Sequence, residues 1–176
     1  MISSEVMEKA KKLKLLILDV DGVLTDGKLF FDNEGNEYKA FHARDGHGIK
    51  LLQQSGVDVA VISGRRSNSV IIRMKQLGIK HVYQGYENKI LAFHEIIEKI
   101  SINPEHVAHV GDDLLDLPLM VRVGLSVAVQ DANFAVKQHA DWCTTLSGGC
   151  GAVREVCDLI MQAQGNFDDI LSSYLK

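Results

Sequence analysis

Two carboxylates two residues apart, Asp19 and Asp21, stand where the apolar run Leu15-Leu16-Ile17-Leu18 stops, and Gly22 behind them leaves the chain free to turn sharply. Carboxylates crowded at one strand end repel unless something neutralises them, and a hard divalent cation, preferring oxygen ligands, does so. A second acidic strand end lies at Val110-Gly111-Asp112-Asp113-Leu114-Leu115-Asp116, with Asp116 one helical turn beyond Asp113. A solvated acidic turn accounts for either alone; two in one sheet argue for a metal site. Between them the run Val59-Ala60-Val61-Ile62 delivers Ser63, Gly64 and Arg65, a hydroxyl, a small residue and a guanidinium that suit phosphate oxygens. Ser-Gly after a strand also serves as helix N-cap chemistry. Lys89 follows Tyr86-Glu87-Asn88 near a helix start, where it could neutralise a phosphate or a carboxylate, although a lone lysine is most often a surface residue.

These groups meet only if their strands lie side by side. Val-, Ile- and Leu-rich runs at 14–19, 57–63, 81–84, 107–111 and 125–129 alternate with segments of helical period, the pattern of βαβ units. The expected fold is α/β, a doubly wound and mainly parallel Rossmann-like sheet, whose ligand crevice lies beyond the carboxyl ends of the strands. Val70, Met74 and Leu77 mark one inward helix face, Ile90, Phe93, Ile97 and Ile100 another, and Val153, Val156 and Ile160 a third over 152–164, with a polar tail after it. Gly56 and Gly78 sit where left-handed helix C-caps are useful. One stretch departs from the alternation. Residues 28–31 and 37–41 flank Asp32-Asn33-Glu34-Gly35-Asn36 and read as a projecting β-hairpin. Its Leu29, Phe30 and Phe31 pack either against another subunit or back on their own domain.

The chain has 176 residues, 46% of them hydrophobic, which suits one compact domain over 1–176 with one core. With 19 basic against 23 acidic residues the net charge is -4, so no positive field exists to hold nucleic acid or an anionic membrane surface. No run approaches the roughly 18 apolar residues of a membrane span and the start lacks a signal-peptide core, so a cytoplasmic protein is expected. Cys143, Cys150 and Cys157 are odd in number and without CxxC spacing, and read as reduced thiols. None of the seven histidines has metal-ligand spacing; His81, His94, His106, His109 and His139 default to core or surface, and Trp142 to packing.

In their order, the Asp19-to-Gly27 run, Val61-Ile62-Ser63-Gly64-Arg65, Lys89 and the Gly111-to-Asp116 run resemble the four motifs of the haloacid dehalogenase-like phosphatases. The resemblance implies that Asp19 attacks phosphorus, while Asp21 protonates the leaving oxygen and then activates water. It implies Mg²⁺ held by Asp19, the backbone carbonyl of Asp21 and Asp112, phosphoryl binding by Ser63 and Lys89, and orientation of the metal water and the lysine by Asp113 and Asp116. The chemistry is sound on its own terms, because a carboxylate reaches phosphorus only if both charges are screened, and a cation with a lysine screens them. Within that family, residues 27–29, 41–50 and 148–155 make the chain similar to the 3-deoxy-D-manno-octulosonate 8-phosphate phosphatases of lipopolysaccharide biosynthesis. That likeness implies a small capless homotetramer whose neighbouring hairpin and glycine-rich tail help close the site. Only about forty residues separate Asp19 from Ser63, which leaves no room for a cap. It also implies contacts to the sugar-acid phosphate from His42, Ala43, Arg44, Asp45, Gly46, Lys50, Gly64, Arg65 and Arg73, of which Lys50 and Arg73 fit a solvated helix face nearly as well.

Three other readings stand beside this one. A signalling receiver domain shares the sheet, the acids, the lysine and an aspartyl-phosphate, but places its lysine last, whereas Lys89 precedes the second acidic run. A regulatory, non-catalytic member of the same fold is possible because fold does not fix function. A phosphatase for another sugar-acid phosphate is closer still.

Overall fold

The computed structural model describes residues 2–176. In chain order the elements are α1 (Ser4–Ala10), β1 (Leu15–Leu18), β2 (Phe30–Phe31), β3 (Glu37–Tyr38), α2 (Ala43–Gln54), β4 (Asp58–Ser63), α3 (Asn68–Leu77) and β5 (His81–Gln84). They continue with α4 (Lys89–Ile100), β6 (Val107–Gly111), α5 (Leu117–Met120), β7 (Leu125–Ala128), α6 (Phe134–His139), β8 (Trp142–Cys143), α7 (Ala152–Ala163) and α8 (Phe167–Tyr174).

Six strands form one sheet in the order β5-β4-β1-β6-β7-β8, every neighbouring pair parallel. Residues of β1 explain why it lies at the centre. Leu15 and Ile17 point to one face and join Ala92, Phe93, Ile96 and Leu119 from α4 and α5. Leu16 and Leu18 point to the other and join apolar residues of α1, α2, α3 and α7. A strand apolar at every position is stable only when covered on both faces, and all four residues of β1 are fully buried. The chain leaves β1 toward β4 on one side and reaches β6 on the other, so the strand order reverses at β1 and a crevice opens beyond its carboxyl end.

The five expected strands are present, together with β8, whose two residues are too short for any periodicity to reveal. Gly78 caps α3 in the left-handed region with φ 74° and Gly56 ends α2 with φ 96°, as the sequence suggests. The segment read as a polar tail instead forms α8, which packs against α7 by Phe167 and Ile170. Trp142 does pack against the core, and all three cysteines are free thiols.

The hairpin is present as β2 and β3, paired antiparallel through Phe30–Tyr38 and Phe31–Glu37. Asp32 closes its loop by accepting from the backbone N–H groups of Glu34 and Asn36 at 2.9 and 2.8 Å. Leu29, Phe30, Phe31 and Tyr38 are all exposed. The glycine pair Gly148-Gly149 docks on its own chain. A Cβ on Gly148 would lie 1.6 Å from the Gly22 carbonyl oxygen, and the Gly149 N–H donates to the Val23 carbonyl at 2.9 Å.

Candidate active site

Asp19 leaves the end of β1 8% exposed, and Lys89, the first residue of α4, reaches it at 2.9 Å. Asn88 caps that helix by accepting from the Ile90 N–H, which fixes where Lys89 starts. The lysine also meets Asp116 at 2.7 Å. Asp116 is saturated: His109 Nε2 lies 2.9 Å from the same oxygen, and the N–H groups of Asp112 and Asp113 donate to the other at 3.0 and 3.3 Å. Burial works against its charge, yet His109 and Lys89 hold the Asp116 carboxyl well below the usual carboxylate range. Burial likewise opposes the Lys89 charge, and Asp19 and Asp116 more than offset it, so the ammonium is held above its ordinary pKa.

Asp112 is the unsatisfied member. Its carboxylate lies against Gly22, where a Cβ would come within 2.1 Å of Oδ2, so only a residue without one fits at that φ of 90°. Burial, with Asp19 and Asp116 nearby, pushes the Asp112 carboxyl up to about 8. Burial raises Asp19 too, against the pull of Lys89. Oxygens of Asp19, Asp112 and Asp116 lie within 4.8 Å of one another. With Asp116 already saturated by its own donors, Asp19 and Asp112 are left facing each other short of positive charge. That donor set fits a hard divalent cation.

Ser63, at the end of β4, is buried, and its Oγ accepts from the Arg65 N–H at 3.2 Å. Asp19, Asp21, Ser63, Gly64, Arg65, Lys89, Asp112, Asp113 and Asp116 thus line one cavity of about 180 Å³. Asp113 caps the short turn of residues 114–116, accepting from the Leu114 N–H at 2.8 Å. Asp21 has partners other than those of the carboxylate trio. It pairs with Lys39, and Arg65 stands 3.8 Å from its second oxygen.

The other expected substrate residues are not in this cavity. Ala43, Gly46, Lys50 and Arg73 line a separate cleft of about 280 Å³ between α2 and α3, with His47 and Leu77. Arg44 is exposed on α2. Asp45 is buried and accepts from the Arg154 N–H at 2.8 Å, which ties α2 to the start of α7, while His42 stands 4.0 Å from its other oxygen. Sequence reasoning missed Lys39 and Glu37, which come from the hairpin to pair with Asp21 and Arg65 of the cavity lining, and His109, which braces Asp116. A histidine inside the apolar run Val107-Ala108-His109-Val110 was a visible signal; alternation along Glu37-Tyr38-Lys39 puts the two charges on one face without telling what that face meets.

A haloacid dehalogenase-like hydrolase family matches residues 81–154. The 3-deoxy-D-manno-octulosonate 8-phosphate phosphatase of Escherichia coli strain B is 53% identical over 96% of this chain and 89% of its own length. The crystal structure of the phosphatase of that name from Yersinia pestis superposes with a TM-score of 0.93 at 48% identity, covering 94% of this chain and 89% of that one. The Moraxella catarrhalis phosphatase, solved with a magnesium ion, a phosphate ion and a KDO molecule, superposes at 0.95 with 43% identity over 97% of this chain and 98% of that one.

Proposed function

This chain belongs to the haloacid dehalogenase-like hydrolases, in the 3-deoxy-D-manno-octulosonate 8-phosphate phosphatase family, and we propose that it hydrolyses that sugar-acid phosphate to the free sugar acid and inorganic phosphate, in lipopolysaccharide biosynthesis. The observation that carries the reading is the meeting of Asp19, Lys89, Ser63 and Asp112 in one cavity at the point where the strand order reverses.

Asp19 attacks phosphorus and forms an aspartyl-phosphate. Lys89, held by Asp116, and the hydroxyl of Ser63 bind the phosphoryl oxygens. Asp21 gives its proton to the leaving sugar oxygen, then takes one from the water that attacks phosphorus and frees Asp19. Asp19, Asp112 and the backbone carbonyl of Asp21 would hold Mg²⁺, which when bound offsets the carboxylate and phosphate charges. Asp113 shapes the turn that presents Asp112.

The chain acts as one capless domain over 1–176, and its lid comes from other copies in a homotetramer. The exposed apolar residues of the hairpin support assembly. The separate cleft supports it as well, because Lys50 and Arg73 in that cleft, and Arg44 exposed on α2, meet a carboxylate-bearing substrate in the cavity only if a neighbouring copy presents them. Gly148-Gly149, engaged with its own loop after β1, leaves the hairpin as the main arm. Among the described residues no helix is long and apolar enough to cross a membrane, and the free thiols agree with a cytoplasmic site of action.

Phosphate release against a panel of sugar and sugar-acid phosphates, with and without Mg²⁺, tests the reading. The expected result is magnesium-dependent turnover that favours 3-deoxy-D-manno-octulosonate 8-phosphate. Absence of release from every member of the panel by magnesium-replete protein would leave a regulatory role in its place.

A further inference from the structure

Lys39 lies just past β3 on an arm whose apolar side chains are exposed, yet its own side chain is 1% exposed. Its ammonium pairs with Asp21 and stands 3.1 Å from Glu37 Oε1. Glu37 is itself held, by Arg65 at 2.5 Å, and its carbonyl accepts from the Ser69 hydroxyl at 3.4 Å. The two oxygens of Asp21 therefore each face a cation, Lys39 on Oδ1 and Arg65 on Oδ2. Lysine is rarely buried unless paired, and an ion pair withdrawn from water gains little stability against its desolvation cost. Rim contacts would hold a surface hairpin equally well. Burial of this ammonium therefore calls for a role other than tethering.

We infer that Lys39 is a positioning residue: through its ion pair with Asp21 it holds the acid/base in the orientation that serves the leaving oxygen, and it ties that orientation to the hairpin. The inference rests on Asp21 being the acid/base. In the first step Asp21, with Lys39 donating to one carboxyl oxygen and the proton on the other, passes that proton to the sugar oxygen as its bond to phosphorus breaks and the Asp19–phosphorus bond forms. In the second, a water proton passes to Asp21 as the water oxygen bonds to phosphorus and the Asp19 carboxylate leaves. Each transfer needs one carboxyl oxygen held within hydrogen-bond reach of a small moving target, and misplacement by an ångström costs about a hundredfold. Asp21 stands on a loop that Gly22 leaves free to turn, so its orientation must come from partners, and the nearer is Lys39.

The test compares two substrates of one magnesium-replete preparation. The alkoxide of 3-deoxy-D-manno-octulosonate 8-phosphate needs a proton to leave; the nitrophenolate of p-nitrophenyl phosphate does not. Lys39→Met is expected to lower the ratio of their kcat/KM values by roughly tenfold or more, part of the roughly 10²–10⁴ that general acid–base catalysis contributes. The loss on the sugar-acid phosphate should fall in kcat rather than KM, and Lys39→Arg should recover most of it. Because both substrates meet the same preparation, the folded fraction cancels in the ratio. Equal losses on both substrates, or a raised KM with kcat unchanged, overturn the inference. Asp21→Asn, run in parallel, separates the two failures. If it shifts the ratio and Lys39→Met does not, Lys39 alone loses its role; if it leaves the ratio unchanged, the acid/base assignment falls and Lys39 with it.

Discussion

The crevice at the carboxyl end of the sheet and the hairpin beside it are both built from acids, lysines and apolar residues, but the two regions satisfy them differently. In the crevice, strands covered on both faces present carboxylates to partners within the chain, and Asp116 has a donor for each oxygen. Asp112 is short of a partner that a cation would supply. In the hairpin the charged face is satisfied inward, through Lys39 and Glu37, while Phe30 and Phe31 at 50% and 58% exposure have nothing to pack on. The difference teaches that each region is incomplete in its own currency, the crevice in positive charge and the hairpin in apolar cover.

The contrast breaks most severely at Asp19. Asp19→Asn should reduce turnover by about 10³-fold or more, because a neutral amide of the same volume does not attack phosphorus. Its melting temperature should hold or rise, since one of the crowded acids is gone; substantial residual hydrolysis in pure protein would remove Asp19 from the nucleophile's place. Asp112→Ala sharpens the claim that the crevice lacks positive charge. It should raise the magnesium needed for half-activity by about tenfold or more and shrink the magnesium-dependent rise in melting temperature, and an unchanged magnesium titration would count against the ligand role.

Phe31→Asp addresses the hairpin alone. With the side chain exposed, monomer stability should change by no more than about 0.5 kcal/mol, whereas, on the proposal that the hairpin assembles a homotetramer, light scattering should show a smaller mass than for the unaltered chain, and turnover of the sugar-acid phosphate should fall by roughly tenfold if Arg44, Lys50 and Arg73 act across subunits. A Phe31→Asp protein whose mass in solution equals that of the unaltered chain would count against the hairpin as an assembly surface. The smallest effect concerns the hairpin loop. Asn36, by side chain and backbone, with Tyr38 and the Glu34 N–H, lowers the Asp32 carboxyl from 3.8 to about 2. A depressed carboxylate pKa contributes stability above the unfolded value and loses it as pH falls through the folded one. Loop resonances should therefore stay dispersed above about pH 4 and shift as the pH approaches 2; a midpoint near 3.8 would mean the loop contacts do not hold in solution.

Much of the site was legible because its carriers are local. Asp19, Asp21, Ser63 and Asp112 each follow an apolar run, and a run buried on both faces delivers its last residues to the same edge of a parallel sheet. Lys89 was legible only through the order of the motifs, since nothing near it in the chain states that its ammonium will meet Asp19 and Asp116. Residues 42–50 and Arg73 were legible as a charged group but not as a separate cleft, because the angle at which α2 and α3 leave the sheet is set by packing against α7 and the core.

By itself, then, the sequence determined the doubly wound sheet, the acidic strand ends and the order in which the phosphate-binding groups arrive. Each of those follows from short-range period and from which residues end a strand. Tertiary structure alone decided that α8 forms, that Gly148-Gly149 docks on its own chain, that His109 braces Asp116 and that Lys39 comes back from the hairpin to Asp21. These depend on where side chains distant in sequence point once the elements have packed, and that is a property of the packed molecule.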